Sequence, residues 1–209
     1  MKIVGIDEVG RGPLAGPVTV CIVSCELNLY KKLKKNKNLP ISGKDSKKLK
    51  TSDREKYEKV LKSLARENKI SYSINHVSNK VIDSKGLSFA IKLAIGKGLE
   101  NLKLKNYLKI KNYKLKILLD GGLRAPKEFK NQKTIIRGDE KEKIIAWASI
   151  LAKVSRDRIM TKLSKKFPKY GFRLHKGYGT LHHRKMIKKH GSSAIHRKSF
   201  LKHISNSRE

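Results

Sequence analysis

Residues 3–13 read IVGIDEVGRGP, an acidic pair inside an apolar run followed at once by an arginine between two glycines. Ile3, Val4 and Ile6 favour a strand, whereas Gly10, Gly12 and Pro13 stop one, so Asp7 and Glu8 fall at the C-terminal end of a predicted first strand. Open α/β sheets place their ligands at that end. Two adjacent carboxylates in apolar surroundings repel and cost on the order of several kcal/mol if buried unpaired, so a positive group must compensate them. A divalent metal ion would do so, and so would Arg11. The glycines flanking Arg11 let backbone N–H groups approach a phosphate closely, as nests do. A tight turn with nothing bound is the alternative.

The same logic recurs further along. PVTVCIVS at 17–24 reads as a buried β-branched strand, and its short connection to the first makes it an antiparallel neighbour, so the sheet is mixed. Ser52 and Glu55 form a capping box for a helix over about 53–67, whose core face carries Tyr57, Val60, Leu61 and Leu64. Ile70, Tyr72 and Ile74 alternate with polar residues as a third strand. Leu87 to Leu102 make a second long helix, in which Gly96 and Gly98 either weaken it or allow close packing. Asp83, just before that helix, is read as ending a short turn. The lysine-rich run from Lys103 to Lys116 is a basic extension whose helix or strand character the pattern leaves open. Ile117, Leu118 and Leu119 form a fourth strand that delivers Asp120 beside Gly121 and Gly122.

Thr134, Ile135 and Ile136 give a short fifth strand, and Arg137 and Gly138 lead to Asp139 at the start of a helix over about 140–166. On the residues alone Asp139 is an N-cap, worth about 1 kcal/mol. Ser149, Lys153 and Arg156, at i, i+4 and i+7, make a polar stripe suited to a phosphate backbone. Asp157 lies four residues after Lys153 and reads as half of a helix salt bridge. Beyond Pro168 come a loop rich in Gly, Lys and aromatics, a helix near 181–189 and HRKSF at 196–200.

Composition narrows the partners. The chain has 209 residues, enough for one sizeable core or for one core with a small helical appendage. Its 51 Lys and Arg against 17 Asp and Glu give a formal charge of +34, which points first to nucleic acid. Repetitive stretches such as KKLKKNKN fit a compositional bias as well as selection for binding. Cys21 and Cys25 have no CxxC spacing and no clustered histidines to complete a zinc site, and read as reduced thiols. No apolar run approaches the ~20 residues that span a bilayer, and the fold starts without a signal peptide, so a cytoplasmic protein is expected.

Five blocks then combine: GIDEVGRGPLAGPV at 5–18, DSKKL at 45–49, LLDGG at 118–122, RGDEKEKIIAWASILAKVSRD at 137–157 and FRLHKGYGT at 172–180. Together they resemble type 2 ribonuclease H, the family that cuts RNA in RNA/DNA hybrids. The resemblance implies an RNase H-like α/β fold, a mixed five-stranded sheet flanked by helices with a C-terminal helical segment. A single catalytic domain over 1–209 follows, with about 168–209 as a possible appendage.

The resemblance also makes Asp7, Glu8, Asp120 and Asp139 catalytic ligands for Mg2+ or Mn2+, as two ions ~3.5 to 4 Å apart. It implies cleavage on the 5′ side of a ribonucleotide, leaving a 5′-phosphate and a 3′-hydroxyl. Gly10, Arg11 and Gly12 would bind around the 2′-OH and phosphate, Tyr178 would stack on the adjoining deoxyribose, and Lys47 or Lys48 would contact phosphate, a solvated loop at a helix start being the alternative; the Ser149, Lys153 and Arg156 stripe, read from spacing, would add to these contacts. The expected partners are an RNA/DNA hybrid and a DNA duplex with an embedded ribonucleotide, with no membrane, a monomeric enzyme and no protein partner specified. Trp147 stands where the family's alanine-rich block leads one to expect a small residue, which leaves the packing there open. A type 3 enzyme resembles this pattern but carries an additional N-terminal substrate-binding domain. A non-catalytic basic nucleic-acid-binding module is the competing class; it needs the lysines but not the acids, which would only weaken its hold on a polyanion.

Overall fold

The computed structural model describes residues 1–36, 39, 49–107 and 114–202. Strand β1 (Lys2–Val9) is followed by β2 (Val18–Glu26), α1 (Leu27–Leu33), α2 (Thr51–Arg66) and β3 (Ser71–Val77). Next come α3 (Asn79–Lys85), α4 (Leu87–Asn101) and the single turn α5 (Leu104–Tyr107), then β4 (Leu115–Asp120) and β5 (Gln132–Ile135). The short α6 (Gly138–Lys141) precedes the long α7 (Lys143–Lys166), and a 3-10 turn at Pro168–Tyr170 leads to α8 (Phe172–His175), α9 (Leu181–His190) and α10 (Lys198–Leu201).

The strands form one five-stranded sheet in the order β3-β2-β1-β4-β5, antiparallel at β1/β2 and β2/β3 and parallel at β1/β4 and β4/β5. The α/β fold with a mixed five-stranded sheet is therefore as the sequence implies. Strand periodicity assigns the faces. Val4 and Ile6 of β1, with Ile117 and Leu119 of β4, pack under α4, while Ile3 and Leu118 pack under α7. Asp7 and Asp120 share the parity of Ile3 and Leu118, so their side chains leave the sheet on the α7 side.

Two glycines set how closely the helices approach. A Cβ on Gly5 would collide with the Ile144 carbonyl, so β1 and the first turn of α7 are in backbone contact. Gly98 does the same for α4, where a Cβ would stand 2.7 Å from Ile22 Cδ1; Gly96 faces open space. Close packing is thus the role of Gly98 alone.

Several local expectations are corrected. The capping box at Ser52 is not used: Lys50 is the N-cap of α2 without a side-chain bond, and Arg54 instead donates to the Leu49 carbonyl and to Thr51 Oγ1. The helix expected over 140–166 is broken at Glu142, which is extended (φ −124, ψ 115), so α6 and α7 are separate helices. Neither Gly nor Pro marks that break, which hides it from a pattern reading. Asp139 is not an N-cap, because Arg137, left-handed at φ 55, occupies that position and Asp139 lies inside the first turn of α6. Asp83 lies in α3 and accepts from the backbone N–H groups of Lys198 and Ser199 at 3.0 Å each.

Trp147 is fully buried edge-on to Tyr30, with ring centroids 5.6 Å apart, so the departure at that position is absorbed by an aromatic pair. Helix α2 is tied to α7 by Glu58, which accepts from both Nη1 and Nη2 of Arg158 at 2.5 Å. The segment after α7 has a small core of its own: Tyr170, Phe172 and Ile187 close over Met160, Leu14 and Ala15.

Because Gly5 sits against backbone that cannot rotate away, Gly5→Ala is expected to cost ~1–3 kcal/mol of stability through overpacking. Urea unfolding measures this; a loss below ~0.5 kcal/mol would mean that α7 does not rest on β1 at this residue.

Candidate active site

The parallel register of β1 and β4 pairs Ile6 with Leu119, so the next residues, Asp7 and Asp120, lie side by side where the two strands end. Asp7 is buried and Glu8 and Asp120 are half-buried. One carboxylate oxygen from each of Asp7, Glu8 and Asp120 lies within 4.8 Å of the others. Asp139, also buried, falls outside that group but is near enough for its charge to act on Asp7. Three of the four predicted acids therefore converge, with the fourth beside them.

Hydrogen bonds hold the carboxylates in place. Asp7 Oδ1 accepts from the Glu8 N–H at 2.7 Å, and Ser149 on α7 bonds to the same carboxylate. Asp120 Oδ1 accepts from the Gly138 N–H at 2.6 Å, which ties β4 to the start of α6. Glu8 Oε1 accepts from Arg11 Nη1 at 3.1 Å, while Glu8 Oε2 is buried with no hydrogen-bond partner among the described residues.

Burial is the largest cause that raises the Asp7 pKa, followed by the charges of Glu8 and Asp120. Burial also raises Glu8, against the opposing pull of Arg11. Arg11 thus offsets part of the repulsion and leaves Asp7 unrelieved. An all-oxygen donor set with an orphaned buried carboxylate oxygen fits a hard divalent cation such as Mg2+ or Mn2+.

The proposed substrate residues divide. Gly10, at φ +92, turns the chain after β1, and a side chain there would strike Arg156; Arg11 is exposed. A Cβ on Gly12 would meet nothing within 4 Å, so its surroundings are open. Tyr178 is 40% exposed, and Lys153 Nζ and Arg156 Cζ each lie 5.9 Å from its ring centroid. Lys153 bonds Asp157 at 2.9 Å, as the salt-bridge reading of Asp157 expects. Lys47 and Lys48 lie outside the described residues.

The polar stripe on α7 is corrected. Ser149 is buried against Asp7, and Arg156 is fully buried with its guanidinium on the carbonyls of Ala15, Pro17 and Lys176, so neither presents a donor to a phosphate backbone. Helical spacing located a shared face but could not say that this face points inward. Gly5, Arg197, His183 and His196 were not singled out by the sequence reading as site residues, although HRKSF at 196–200 was noted as a motif.

The ribonuclease HII family model matches residues 4–203. The chain belongs to the ribonuclease HII family. It is similar to ribonuclease HII of Caldicellulosiruptor bescii, 42% identical over 203 residues that cover 97% of this chain and 87% of that one. Ribonuclease HII of Clostridium beijerinckii is 43% identical over 199 residues, 95% of this chain and 67% of the relative. Among solved structures, ribonuclease H2 of Pyrococcus horikoshii matches with a TM-score of 0.69 at 26% identity, covering 98% of this chain and 97% of that one. The ribonuclease HII in a complex with PCNA from Archaeoglobus fulgidus matches at 0.70 and 24% identity, over 95% and 94% of the two chains, and bears on the fold alone. Ribonuclease HII membership makes the chain a metal-dependent nuclease that acts on RNA in hybrids.

Without metal, Asp7 has a folded-state pKa above the ordinary 3.8, so the stability it contributes is complete below that pH and is lost as the pH rises through the raised value. Asp7→Asn is therefore expected to raise the melting temperature of chelator-treated protein at pH 7, by about 2–4 °C per kcal/mol of repulsion relieved. The same variant should lose most of the thermal stabilisation that Mg2+ or Mn2+ gives the parent. A melting curve that still responds fully to metal would remove Asp7 from the ligand set.

Proposed function

We propose that the chain cleaves duplex nucleic acid on the 5′ side of a ribonucleotide, both within RNA/DNA hybrids and at single ribonucleotides embedded in DNA. The observation that carries this reading is the convergence of Asp7, Glu8 and Asp120 at the ends of two parallel strands, in a chain whose net charge is +34. Asp7, Glu8, Asp120 and Asp139 would hold Mg2+ or Mn2+, as two ions when substrate is bound. Bound there, such ions supply activation of the attacking water and stabilisation of the leaving oxygen.

The chain's own residues do the rest. Asp7, fixed by Ser149 and its own neighbour's N–H, and Asp120, fixed by Gly138, keep their carboxylates at the strand ends. Arg11, exposed and leaning on Glu8, links the acid cluster to the Gly10–Gly12 turn, which would follow the 2′-OH and phosphate at the scissile position. Tyr178, with Lys153 close to its ring, would rest on the next sugar and test it for the absence of a hydroxyl. Water adds at phosphorus, the bond to the upstream 3′ oxygen breaks, and the products are a 3′-hydroxyl and a 5′-phosphate on the ribonucleotide.

A purely nucleic-acid-binding role would leave the carboxylates without a use and at a cost in binding. Among the described residues no helix is long and apolar enough to cross a membrane. The chain would act as one catalytic domain.

Asp120→Asn should reduce Mg2+- or Mn2+-supported cleavage at least ~10²-fold while preserving duplex binding, since it removes ligand charge with little change in shape. Gel cleavage of a DNA duplex with one ribonucleotide is the assay, and activity within a fewfold of the parent would take Asp120 out of the site. Tyr178→Ala should lose more on that substrate than on a long hybrid; equal losses would reduce Tyr178 to a packing residue. Hybrid affinity should fall steeply with salt, with a log–log slope set by roughly 0.7–0.9 per neutralised phosphate. A flat salt dependence would show the lysine excess to be compositional.

A further inference from the structure

Two sets of contacts meet in the short stretch around His196 and Arg197. Arg197 is fully buried, and its guanidinium donates to the carbonyls of Gly10 at 2.7 Å (Nη2), Arg11 at 2.9 Å (Nη1) and Gly16 at 3.0 Å (Nε). It belongs to none of the ion pairs among the described residues. Asp83 is near enough for its charge to favour the cation but makes no ion pair with it, so the guanidinium depends on having its N–H groups taken up, and the backbone oxygens of Gly10, Arg11 and Gly16 take them up. The Arg197 N–H also reaches the Leu14 carbonyl at 2.8 Å, and the Gly16 N–H reaches Ile195 at 2.9 Å.

The neighbouring side chain points to the other loop. The Ser193 N–H donates to His196 Nδ1 at 2.8 Å, which makes Nδ1 an acceptor and leaves the ring proton on Nε2. His196 Nε2 lies 3.0 Å from His183 Nε2, which must then accept, so the His183 proton sits on Nδ1 and points at the Tyr178 carbonyl, 2.9 Å away. One acceptor fixed by a backbone N–H thus determines both tautomers. Both rings are at most 1% exposed, and burial pushes each down to about 4, so the pair is neutral around pH 7. The loop they hold is itself docked on the first, through the Leu14 N–H to the Gly177 carbonyl at 2.8 Å.

We propose that the His196–Arg197 dipeptide is a positioning strut for substrate recognition: Arg197 fixes the Gly10–Arg11 turn, and His196, acting through His183, fixes the Tyr178 loop, so that one peptide unit sets the spacing between them. The inference rests on the junction-sensing reading of Arg11 and Tyr178. Its anchor is α3, where the Asn79 side-chain amide donates to the His196 carbonyl at 3.0 Å and Asp83 accepts from the two N–H groups that follow Arg197. None of these side chains bonds Asp7, Glu8, Asp120 or Asp139, and the turn they hold meets the cluster only through Arg11 Nη1 on Glu8 Oε1, so the strut bears first on which phosphodiester is presented.

The test measures kcat and KM with Mg2+ on a duplex carrying one ribonucleotide and on a long RNA/DNA hybrid, together with melting temperature, for Arg197→Met, Arg197→Lys, His183→Phe and Tyr178→Ala. Arg197→Met and His183→Phe should each lower the single-ribonucleotide-to-hybrid ratio of kcat/KM at least fivefold, with Arg197→Lys restoring part of it. In the Tyr178→Ala background Arg197→Met should change that ratio less than twofold, because both act on one geometry; a generally destabilised fold would give additive losses. If Arg197→Met does not fold, Arg197→Lys and His183→Phe carry the comparison. A ratio unmoved in the folded strut variants while Tyr178→Ala still moves it overturns the strut and leaves the junction reading standing. A ratio unmoved by Tyr178→Ala itself overturns both.

Discussion

Like charge held against like charge is the constraint under which this fold is built. Asp7 and Asp120 end adjacent parallel strands on the same face, Glu8 follows Asp7, and Asp139 waits at the start of the next helix. Left in water the four would drift apart; the sheet prevents it, because the register of β1 and β4 is fixed by apolar residues on both faces. Arg11 neutralises part of the excess at Glu8 only, so Asp7 keeps an elevated affinity for protons. A site that prefers a proton is also one that gains most from a multivalent cation, and the folding energy that α7 contributes by closing over Gly5 keeps it in that state.

What the sequence disclosed and what it hid follow from the range of the forces involved. Asp7 and Asp120 could be placed because strand ends are written locally, in Gly10, Gly12, Gly121 and Gly122. The pairing of Lys153 with Asp157 is equally local, one helical turn. The placement of Arg156 is hidden for the opposite reason. Its spacing with Ser149 and Lys153 is local, but the side on which that face lies depends on carbonyls 139 and 141 residues away, at Pro17 and Ala15. The backbone contact at Gly5 is likewise the product of two elements meeting, and no short window along the chain contains both Gly5 and Ile144.

The basic character of the protein has two physically different parts. Exposed lysines act on a polyanion through long-range, screened attraction and counterion release. Arg156 and Arg197 are buried, make no ion pair among the described residues, and spend their hydrogen bonds on backbone oxygen. Their positive charge, being beneath the surface, is screened less by salt than that of the lysines. The same composition thus provides both a diffuse field and fixed scaffolding, and a count of charges cannot separate them.

The contact between Arg197 and Gly10 joins residues 187 positions apart, so the turn after β1 is held by a residue that follows almost the whole of the fold. During synthesis on the ribosome, β1, β2 and even the carboxylates of β4 are in place long before the residue that holds the arginine-glycine turn has emerged. Contacts of such separation carry a large loop-closure cost and form late. A partly made chain therefore has its acids before it has the contacts that fix the Gly10–Arg11 turn, and the setting of that turn waits for residues beyond α9.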